Sequence, residues 1–157
     1  MTGSSSDPTS DSAAEPSASG RSYSIRAATP EDFEEVEAFI QDFVDEGRIL
    51  PRTTEELRNL LPQGFVAEIE GKIVGFAALE IYSPKLGEIR SLAVDDDLRG
   101  RGIGRALVRA CIGRAEERRI FEVLVVTSED AFFQRCGFDY TLPGEKRALF
   151  YQTREHH

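Results

Sequence analysis

The sequence has 157 residues, of which 40% are hydrophobic, so it is long enough for one ordinary domain with a substantial core. Its formal net charge of −9 argues against general binding to nucleic acid, which requires a broad positive surface. Two cysteines cannot supply a disulfide framework, and no apolar run approaches the length of a membrane span, so we expect no membrane partner.

The N-terminal segment, residues 1–22, consists largely of Ser, Thr, Ala, Asp and Pro and contains almost nothing that a core would bury. Such a segment cannot offset the entropy lost on ordering, so it is predicted to be a disordered tail. It lacks the basic start and apolar stretch of a secretory signal, and its acidic residues outnumber its single arginine, unlike a transit peptide. We expect a single domain over residues 23–157, located in the cytoplasm.

The domain is predicted to begin with one strand and two helices. Residues 23–28 alternate as a strand does, and Thr29 and Pro30 are typical of a helix start. Apolar residues at helical spacing predict a first helix ending near Gly47 and a shorter second helix capped by Thr53. The apolar positions predicted to face the core are Phe33, Val36, Phe39, Ile40 and Phe43 in the first helix, and Leu57, Leu60 and Leu61 in the second.

Three antiparallel strands are predicted next, over residues 65–69, 73–81 and 86–94. Gly71 lies in the short link between the first two, which has hairpin spacing. A helix over about residues 102–118 follows the third strand.

The C-terminal part is predicted to complete the sheet. Residues 121–127 are a continuous apolar run, typical of a buried strand. Ser128 is predicted to cap a short helix, and residues 138–140 and 148–152 to form the last strands. This order predicts an α/β (α+β) fold with a mixed, mostly antiparallel sheet of about seven strands and helices on both faces.

The segment LRGRGIGRAL, residues 98–107, lies between a strand and a helix and is the most informative part of the chain. Its glycines let the backbone approach an anion closely, and the helix start adds the positive end of a dipole. Its arginines supply forked donors for phosphate oxygens. The segment predicts an anion cradle, the alternative being a flexible turn with solvated arginines. The glycine spacing excludes the dinucleotide fingerprint GxGxxG and the P-loop.

With two further tracts, these residues resemble the GNAT superfamily of N-acetyltransferases. Arg99, Gly102 and Gly104 match the pattern (Arg or Gln)xxGx(Gly or Ala) of its acyl-CoA pyrophosphate loop. LAV at 92–94 looks like the fourth strand of that fold, and FFQRCGF at 132–138 looks like its last helix running into the sixth strand. The resemblance covers residues 23–151.

Within that superfamily, the chain resembles the acetyltransferase domain of short, stand-alone bacterial N-acetylglutamate synthases. The tracts that carry this closer resemblance are ILPRTTEEL at 49–57 and ALEIYSPKLGEIRSLAV at 78–94. LPGEKRALF, toward the C-terminus, departs from the synthase pattern.

The resemblance implies acetyl-CoA as co-substrate. The diphosphate is expected at the cradle amides, and the pantetheine arm is expected to pair with the edge of the fourth strand, where a backbone N–H polarises the thioester carbonyl. The cofactor-binding residues implied are Leu92, Ala93, Val94, Arg99, Gly100, Arg101, Gly102, Ile103, Gly104, Arg105 and Phe133.

Glu88 is the candidate catalytic base, because the resemblance matches it to a common catalytic glutamate; the alternative is an ordinary strand carboxylate. Neutralising an α-amine at pH 7 costs only about 1.4 kcal/mol, against about 4.6 kcal/mol for a lysine amine. An amino-acid substrate therefore needs only a modest base. The tyrosine acid usual in the family falls at Phe133, which has no hydroxyl, so water, pure positioning, or Tyr82, Tyr140 or Tyr151 remain alternatives.

Carboxylate recognition is predicted at Arg52, with a backbone N–H from Leu50 and a backbone contact from Ser91, as the resemblance suggests. Arg90 and Ser91 are adjacent in a strand, so they are predicted to point to opposite faces. For a second carboxylate the available cations are Lys85, Lys146 and Arg147, of which Lys146 is included among the substrate-binding residues. The alternative for each is a solvated surface charge.

The predicted function is acetyl transfer from acetyl-CoA to a small amino acid, glutamate first, by direct attack in a ternary complex, as in arginine biosynthesis. The alternatives are another amine, such as a polyamine, a drug or a protein N-terminus, and a non-catalytic acyl-CoA-binding module. His156 and His157 are too few and too peripheral for a metal site, so none is predicted. A homodimer is compatible with the resemblance.

Overall fold

The computed structural model describes residues 22–140, 144–145 and 147–153, so the predicted tail lies almost wholly outside the described residues. The chain divides into two compact units, Met1–Val125 and Val126–His157. The first unit contains β1 (Ser24–Ala27), α1 (Phe33–Asp45), α2 (Thr54–Leu60), β2 (Gly64–Ile69), β3 (Lys72–Ser83), β4 (Leu86–Val94), α3 (Ile103–Glu117) and β5 (Glu122–Leu124). The second contains α4 (Asp130–Arg135).

The five strands form one sheet in the order β1-β2-β3-β4-β5. The first four are antiparallel, and β5 runs parallel to β4. The β2–β3 hairpin turns at Glu70 and Gly71, whose φ angles of 51° and 77° match the right-handed twist of the paired strands. The mixed, mostly antiparallel sheet predicted from the sequence is confirmed.

Helices cover both faces of this sheet, also as predicted. On one face, α1 and α2 bury their apolar stripes against β3 residues such as Phe76 and Ala78. On the other face lies α3, where a Cβ at Gly75 would come within 3.0 Å of the Leu107 side chain and 3.3 Å of the Ile103 side chain. Glycine at position 75 therefore permits the close approach of α3 to the sheet.

Both N-terminal helices begin where the sequence predicts. A 3-10 turn from Pro30 leads into α1, and the Thr29 amide donates a 2.7 Å hydrogen bond to the Asp32 carboxylate. At α2, the Thr53 hydroxyl accepts from the Glu56 amide at 3.1 Å, while the Glu56 carboxylate accepts from the Thr53 amide at 2.8 Å. These capping contacts satisfy amides that the first turn leaves without partners.

The prediction of a buried strand over residues 121–127 is wrong. β5 spans only three residues, and Phe121 and Val126 are exposed. β5 lies at the edge of the sheet, and β4 is its partner among the described strands. An apolar run at a sheet edge is not buried unless other elements cover it.

The two final predicted strands are not confirmed, because residues 138–140 and 148–152 have no regular secondary structure. Ser128 does not cap α4 as predicted, because that helix begins after Glu129 without a side-chain capping bond. Within the described ranges, no helix is long and apolar enough to cross a membrane.

Candidate active site

A β-bulge at Ser91 interrupts β4. Ala78 pairs with Arg90 and Phe76 pairs with Ala93, so Ser91 and Leu92 together oppose one residue of β3. Ser91 has a φ of 59°, a left-handed conformation that is uncommon for a residue with a side chain. A bulge bends its strand and increases the local twist, and pairing with β3 resumes after it at Ala93 and Val94.

Beyond the bulge, one edge of β4 is open. The parallel pairing with β5 extends only from Leu86 to Glu88 on β4. Leu92, Ala93 and Val94 have no strand partner on that side in the part of the chain that the structure describes. Unpaired strand amides and carbonyls are available to an extended ligand, and that these residues bind the pantetheine arm stays a prediction.

The glycine-rich loop follows β4 and ends at the first residue of α3. Gly100 and Gly102 have φ angles of 81° and 83°, which residues with side chains rarely adopt. No backbone carbonyl among the described residues accepts a hydrogen bond from the amides of Gly102, Ile103 or Gly104. These amides precede the first complete turn of α3, so they can donate to a phosphate. The loop therefore has the backbone conformation and the donors that a pyrophosphate requires.

Acidic residues accompany the arginines of this loop, which the sequence prediction did not anticipate. Arg99 Nε lies 3.1 Å from Asp96 Oδ1, and Arg48 donates two hydrogen bonds of 3.0 Å to the same carboxylate. The two guanidinium groups hold the pKa of Asp96 below its usual value, with the Arg48 hydrogen bonds as the largest cause. Because the Arg99–Asp96 pair is exposed, it is weak and leaves Arg99 able to turn toward a phosphate.

Phe133, the last predicted cofactor-binding residue, belongs to the C-terminal unit. It is buried and makes edge-to-face ring contacts with Phe132 and Phe138, with centroids 4.9 and 5.5 Å apart. A phenylalanine cannot donate a proton, so α4 supplies a packed aromatic cluster at the position where the family pattern implies an acid.

Glu88 takes part in an acid–base cluster on the sheet face that α1 and α2 cover. Its β3 partner in the strand register is Glu80, so two carboxylates lie directly across from one another. Tyr82 Oη donates a 2.5 Å hydrogen bond to Glu88 Oε1, and Arg90 Nη1 lies 2.7 Å from Glu80 Oε2. These two donors offset the repulsion that two facing carboxylates would otherwise cause. Burial, reinforced by the bond to Glu88, raises the pKa of Tyr82 to about 12.

Arg52 lies beside this cluster, just before the Thr53 cap of α2. Its Nε is 3.3 Å from Ser91 Oγ, and its side chain is half-buried. No carboxylate of a described residue lies within ion-pair distance of its guanidinium. Burial lowers the pKa of Arg52, and the neighbouring charge of Arg90 lowers it further. A half-buried cation without a counter-ion is suited to receive a carboxylate.

The prediction that Arg90 and Ser91 point to opposite faces is wrong. The Ser91 hydroxyl contacts Arg52, which precedes α2, and Arg90 lies opposite Ala78 on the face that α1 and α2 cover. The bulge causes this, because an extra residue with positive φ breaks the strict alternation of side chains along the strand.

The remaining predicted substrate residues belong to different segments of the chain. Leu50 is exposed in the loop that also contains Arg52, and Lys85 lies in the β3–β4 turn. Arg147 belongs to the C-terminal unit, and Lys146 lies outside the described residues. In the described segments, no group of three or more His, Cys, Asp or Glu side chains is placed to hold a metal ion.

The sequence analysis did not identify Glu80, which holds Arg90. A signal was present, since polar residues alternate at positions 80 and 82 of one strand and 88 and 90 of the next. That alternation predicts a shared polar face once the hairpin register is known.

Comparison with known proteins identifies relatives along most of the chain. The model of the acetyltransferase (GNAT) family matches residues 24–138. An uncharacterized N-acetyltransferase of Chlorobaculum tepidum is 35% identical over 114 residues, covering 73% of this chain and 74% of the relative. An amino-acid acetyltransferase of Mycobacterium tuberculosis is 34% identical over 118 residues, covering 73% of this chain and 67% of the relative.

A solved structure also has a similar fold. N-acetylglutamate synthase from Neisseria gonorrhoeae, complexed with coenzyme A and N-acetyl-glutamate, aligns with a TM-score of 0.66 at 28% identity. The alignment covers 72% of this chain but only 27% of the synthase chain.

Proposed function

Since the chain belongs to the acetyltransferase (GNAT) family, we propose that it transfers the acetyl group of acetyl-CoA to the α-amine of a small amino acid, with glutamate as the first candidate. The observation that carries this proposal is Arg52, a half-buried guanidinium without a described counter-ion beside Ser91. It supplies a binding group for an α-carboxylate on the same sheet face as the candidate base Glu88.

Acetyl-CoA fits the residues that follow the bulge. The amides of Gly102, Ile103 and Gly104 are available for its diphosphate, and the open edge at Leu92–Val94 is available for its pantetheine arm. Gly102 and Gly104 have no side chains that could cover these amides. The M. tuberculosis and N. gonorrhoeae relatives, an amino-acid acetyltransferase and a synthase complexed with coenzyme A, support this assignment.

Acetyl transfer then proceeds by direct attack. The amine nitrogen bonds to the thioester carbonyl carbon, the carbon–sulfur bond breaks, and the thiolate takes a proton from solvent. Glu88 accepts the proton that the amine loses, directly or through one water. An α-amine is mostly protonated at pH 7, but only about 1.4 kcal/mol is needed to deprotonate it before attack, and correct orientation supplies much of the remaining rate.

An amino acid matches the charges at this site. Its α-carboxylate pairs with the forked donors of Arg52, and its α-ammonium faces the carboxylate of Glu88. Arg90 forms an ion pair with Glu80. Among the described residues of this cluster, Arg52 is therefore the cation available to bind the substrate carboxylate. Glutamate is preferred on the resemblance to N-acetylglutamate synthases, which implies a role in arginine biosynthesis.

A thiol-release assay with acetyl-CoA and a panel of acceptors tests the proposal. The panel contains acidic, neutral and basic amino acids, a polyamine, a short peptide and glutamate α-amide, which lacks the α-carboxylate. We expect the highest kcat/KM with acidic amino acids and a large loss with the α-amide. Activity with the polyamine or peptide but with no amino acid would refute the amino-acid assignment, and a preference for neutral amino acids would refute glutamate alone.

A further inference from the structure

Tyr82 contacts the candidate base through a short hydrogen bond. Its Oη lies 2.5 Å from Glu88 Oε1 and 3.3 Å from Glu80 Oε2. A phenol has one hydrogen to donate, so the shorter contact identifies Glu88 as its acceptor. Partial burial and this bond raise the pKa of the phenol to about 12, further above neutral pH, so the hydroxyl keeps the hydrogen that it donates.

Arg90 provides a competing partner for the same carboxylate. Its Nε lies 4.0 Å from Glu88 Oε1, the outer limit of an ion pair, while its Nη1 is bound to Glu80 at 2.7 Å. Arg90 Nη1 also lies 3.4 Å from Tyr82 Oη, so the hydroxyl stands within reach of both groups. If that hydroxyl were absent, nothing among these contacts would stop the Glu88 carboxylate from turning toward Arg90.

We propose that Tyr82 is a positioning residue for acetyl transfer, whose hydroxyl fixes Glu88 Oε1 and leaves Glu88 Oε2 directed to the substrate amine. This inference rests on the proposed function, in which Glu88 is the base. Tyr82 itself exchanges no proton with the substrate in this role. Its effect therefore exists only while Glu88 is present.

A double-mutant cycle with Tyr82→Phe and Glu88→Gln tests this dependence. We expect Tyr82→Phe to lower kcat about tenfold, which corresponds to about 1.4 kcal/mol, and to change the KM for acetyl-CoA less than twofold. In the Glu88→Gln background, the same substitution should change kcat less than twofold. Loss of kcat by one common factor in both backgrounds would overturn the proposal, because Tyr82 would then act independently of Glu88.

The cycle also separates this inference from the proposed function. If Glu88→Gln is impaired but Tyr82→Phe is fully active, only the positioning role is lost. If Glu88→Gln is fully active, the base assignment is refuted and the positioning role with it. Tyr82 is half-exposed, and phenylalanine retains its ring, so thermal unfolding should match the wild-type protein.

Gln41→Ala is the matched control. Gln41 Nε2 donates a 2.8 Å hydrogen bond to Asp45 on the exposed side of α1, so this variant also removes a donor from a surface carboxylate. We expect its kcat to equal that of the wild-type protein. A tenfold loss in this variant would show that removal of any such donor lowers the rate, and would overturn the specific role of Tyr82.

Discussion

At the scale of single residues, the site combines groups whose partners lie in other elements. Arg52 precedes α2, yet its described hydrogen bond reaches Ser91 on β4. Glu88 is oriented by Tyr82 of the neighbouring strand. Gly102 has a φ of 83°, which glycine adopts more readily than a residue with a side chain. Substitutions at these positions should therefore change the binding of the amino acid and the binding of coenzyme A separately.

Replacement of Arg52 by alanine should raise the KM for the amino acid at least tenfold and leave the KM for acetyl-CoA within twofold. The reason is loss of a charge-assisted, forked contact, worth about 1.5 to 3 kcal/mol. Steady-state kinetics with each substrate varied in turn measures both constants. Arg58→Ala is the control, because Arg58 stacks on Phe33 at 4.2 Å. An unchanged amino-acid KM in Arg52→Ala would discard its role.

Replacement of Gly102 by valine should weaken coenzyme A binding at least tenfold. A β-branched residue is strained at a φ of 83°, so the loop must move and the amides at the start of α3 with it. Titration calorimetry measures the affinity. In the control, Gly113→Ala, the added Cβ meets nothing within 4 Å inside α3, so affinity should be retained. Equal affinities for all three proteins would contradict the cradle.

Among the elements, β4 carries three parts of the proposed site. Its first half carries Glu88 and pairs with β5, whereas its last three residues have an open edge toward the same side. The bulge at Ser91 separates the two halves and brings Ser91 beside Arg52. One strand thus presents the base, the bulge and the open edge in order. The capping contacts at the helix starts, in contrast, stabilise the fold.

Replacement of Asp32 by asparagine tests the start of α1. Arg26 holds the pKa of Asp32 at about 2, mainly through their hydrogen bonds, and asparagine keeps an acceptor for Thr29 without the charge. Because the folded-state pKa is depressed, this stabilisation is present above pH 3.8 and is lost as the pH falls toward 2. The shift from 3.8 to about 2 corresponds to about 2.5 kcal/mol, which partial exposure of Arg26 reduces to about 1 to 2 kcal/mol.

Urea unfolding of wild-type and Asp32→Asn protein at pH 7 and between pH 4 and 2 measures this difference. Asp45→Asn, at the exposed end of α1, should lose no more than about 0.5 kcal/mol at any of these pH values. A gap between wild type and Asp32→Asn that remained constant down to pH 2 would contradict the ionic origin of the stabilisation.

At the scale of the whole molecule, a net charge of −9 opposes the approach of an anionic ligand. Coenzyme A binding must therefore depend on local donors, since the overall field repels it. Asp96 adds a negative charge close to Arg99 in the loop before α3. Bound coenzyme A should nevertheless raise the free energy of unfolding of the unit that contains the sheet, because only the folded loop presents the amides.

Coenzyme A should raise the thermal unfolding midpoint by several degrees. At a concentration about 100 times the Kd, binding to the folded state alone adds about 2.7 kcal/mol. Each kcal/mol raises the midpoint by about 2 to 8 °C for domains of this size range. Scanning calorimetry with coenzyme A, and with adenosine as a control that lacks the diphosphate, measures the shift. An equal shift from adenosine would argue against the diphosphate contacts.

Much of the architecture followed from local sequence signals. The strand β1, the caps of α1 and α2, the hairpin at Gly71 and the loop before α3 depend on residues close together in the chain, so their patterns predict them. The C-terminal strands were not predictable in this way. An apolar run such as residues 121–127 forms a buried strand only where other elements cover it, and exposed Phe121 shows that coverage is absent there in the described structure.

Local sequence patterns predict the antiparallel meander, the helices and the glycine-rich loop, because backbone conformation and apolar periodicity are properties of neighbouring residues. The folded chain is needed to show that Tyr82, of the three tyrosines considered, contacts Glu88, and that the Ser91 hydroxyl contacts Arg52. These contacts depend on the β3–β4 register and on one bulged residue. A shift of a single position in the pairing sends every later side chain to the opposite face, and no local pattern specifies it.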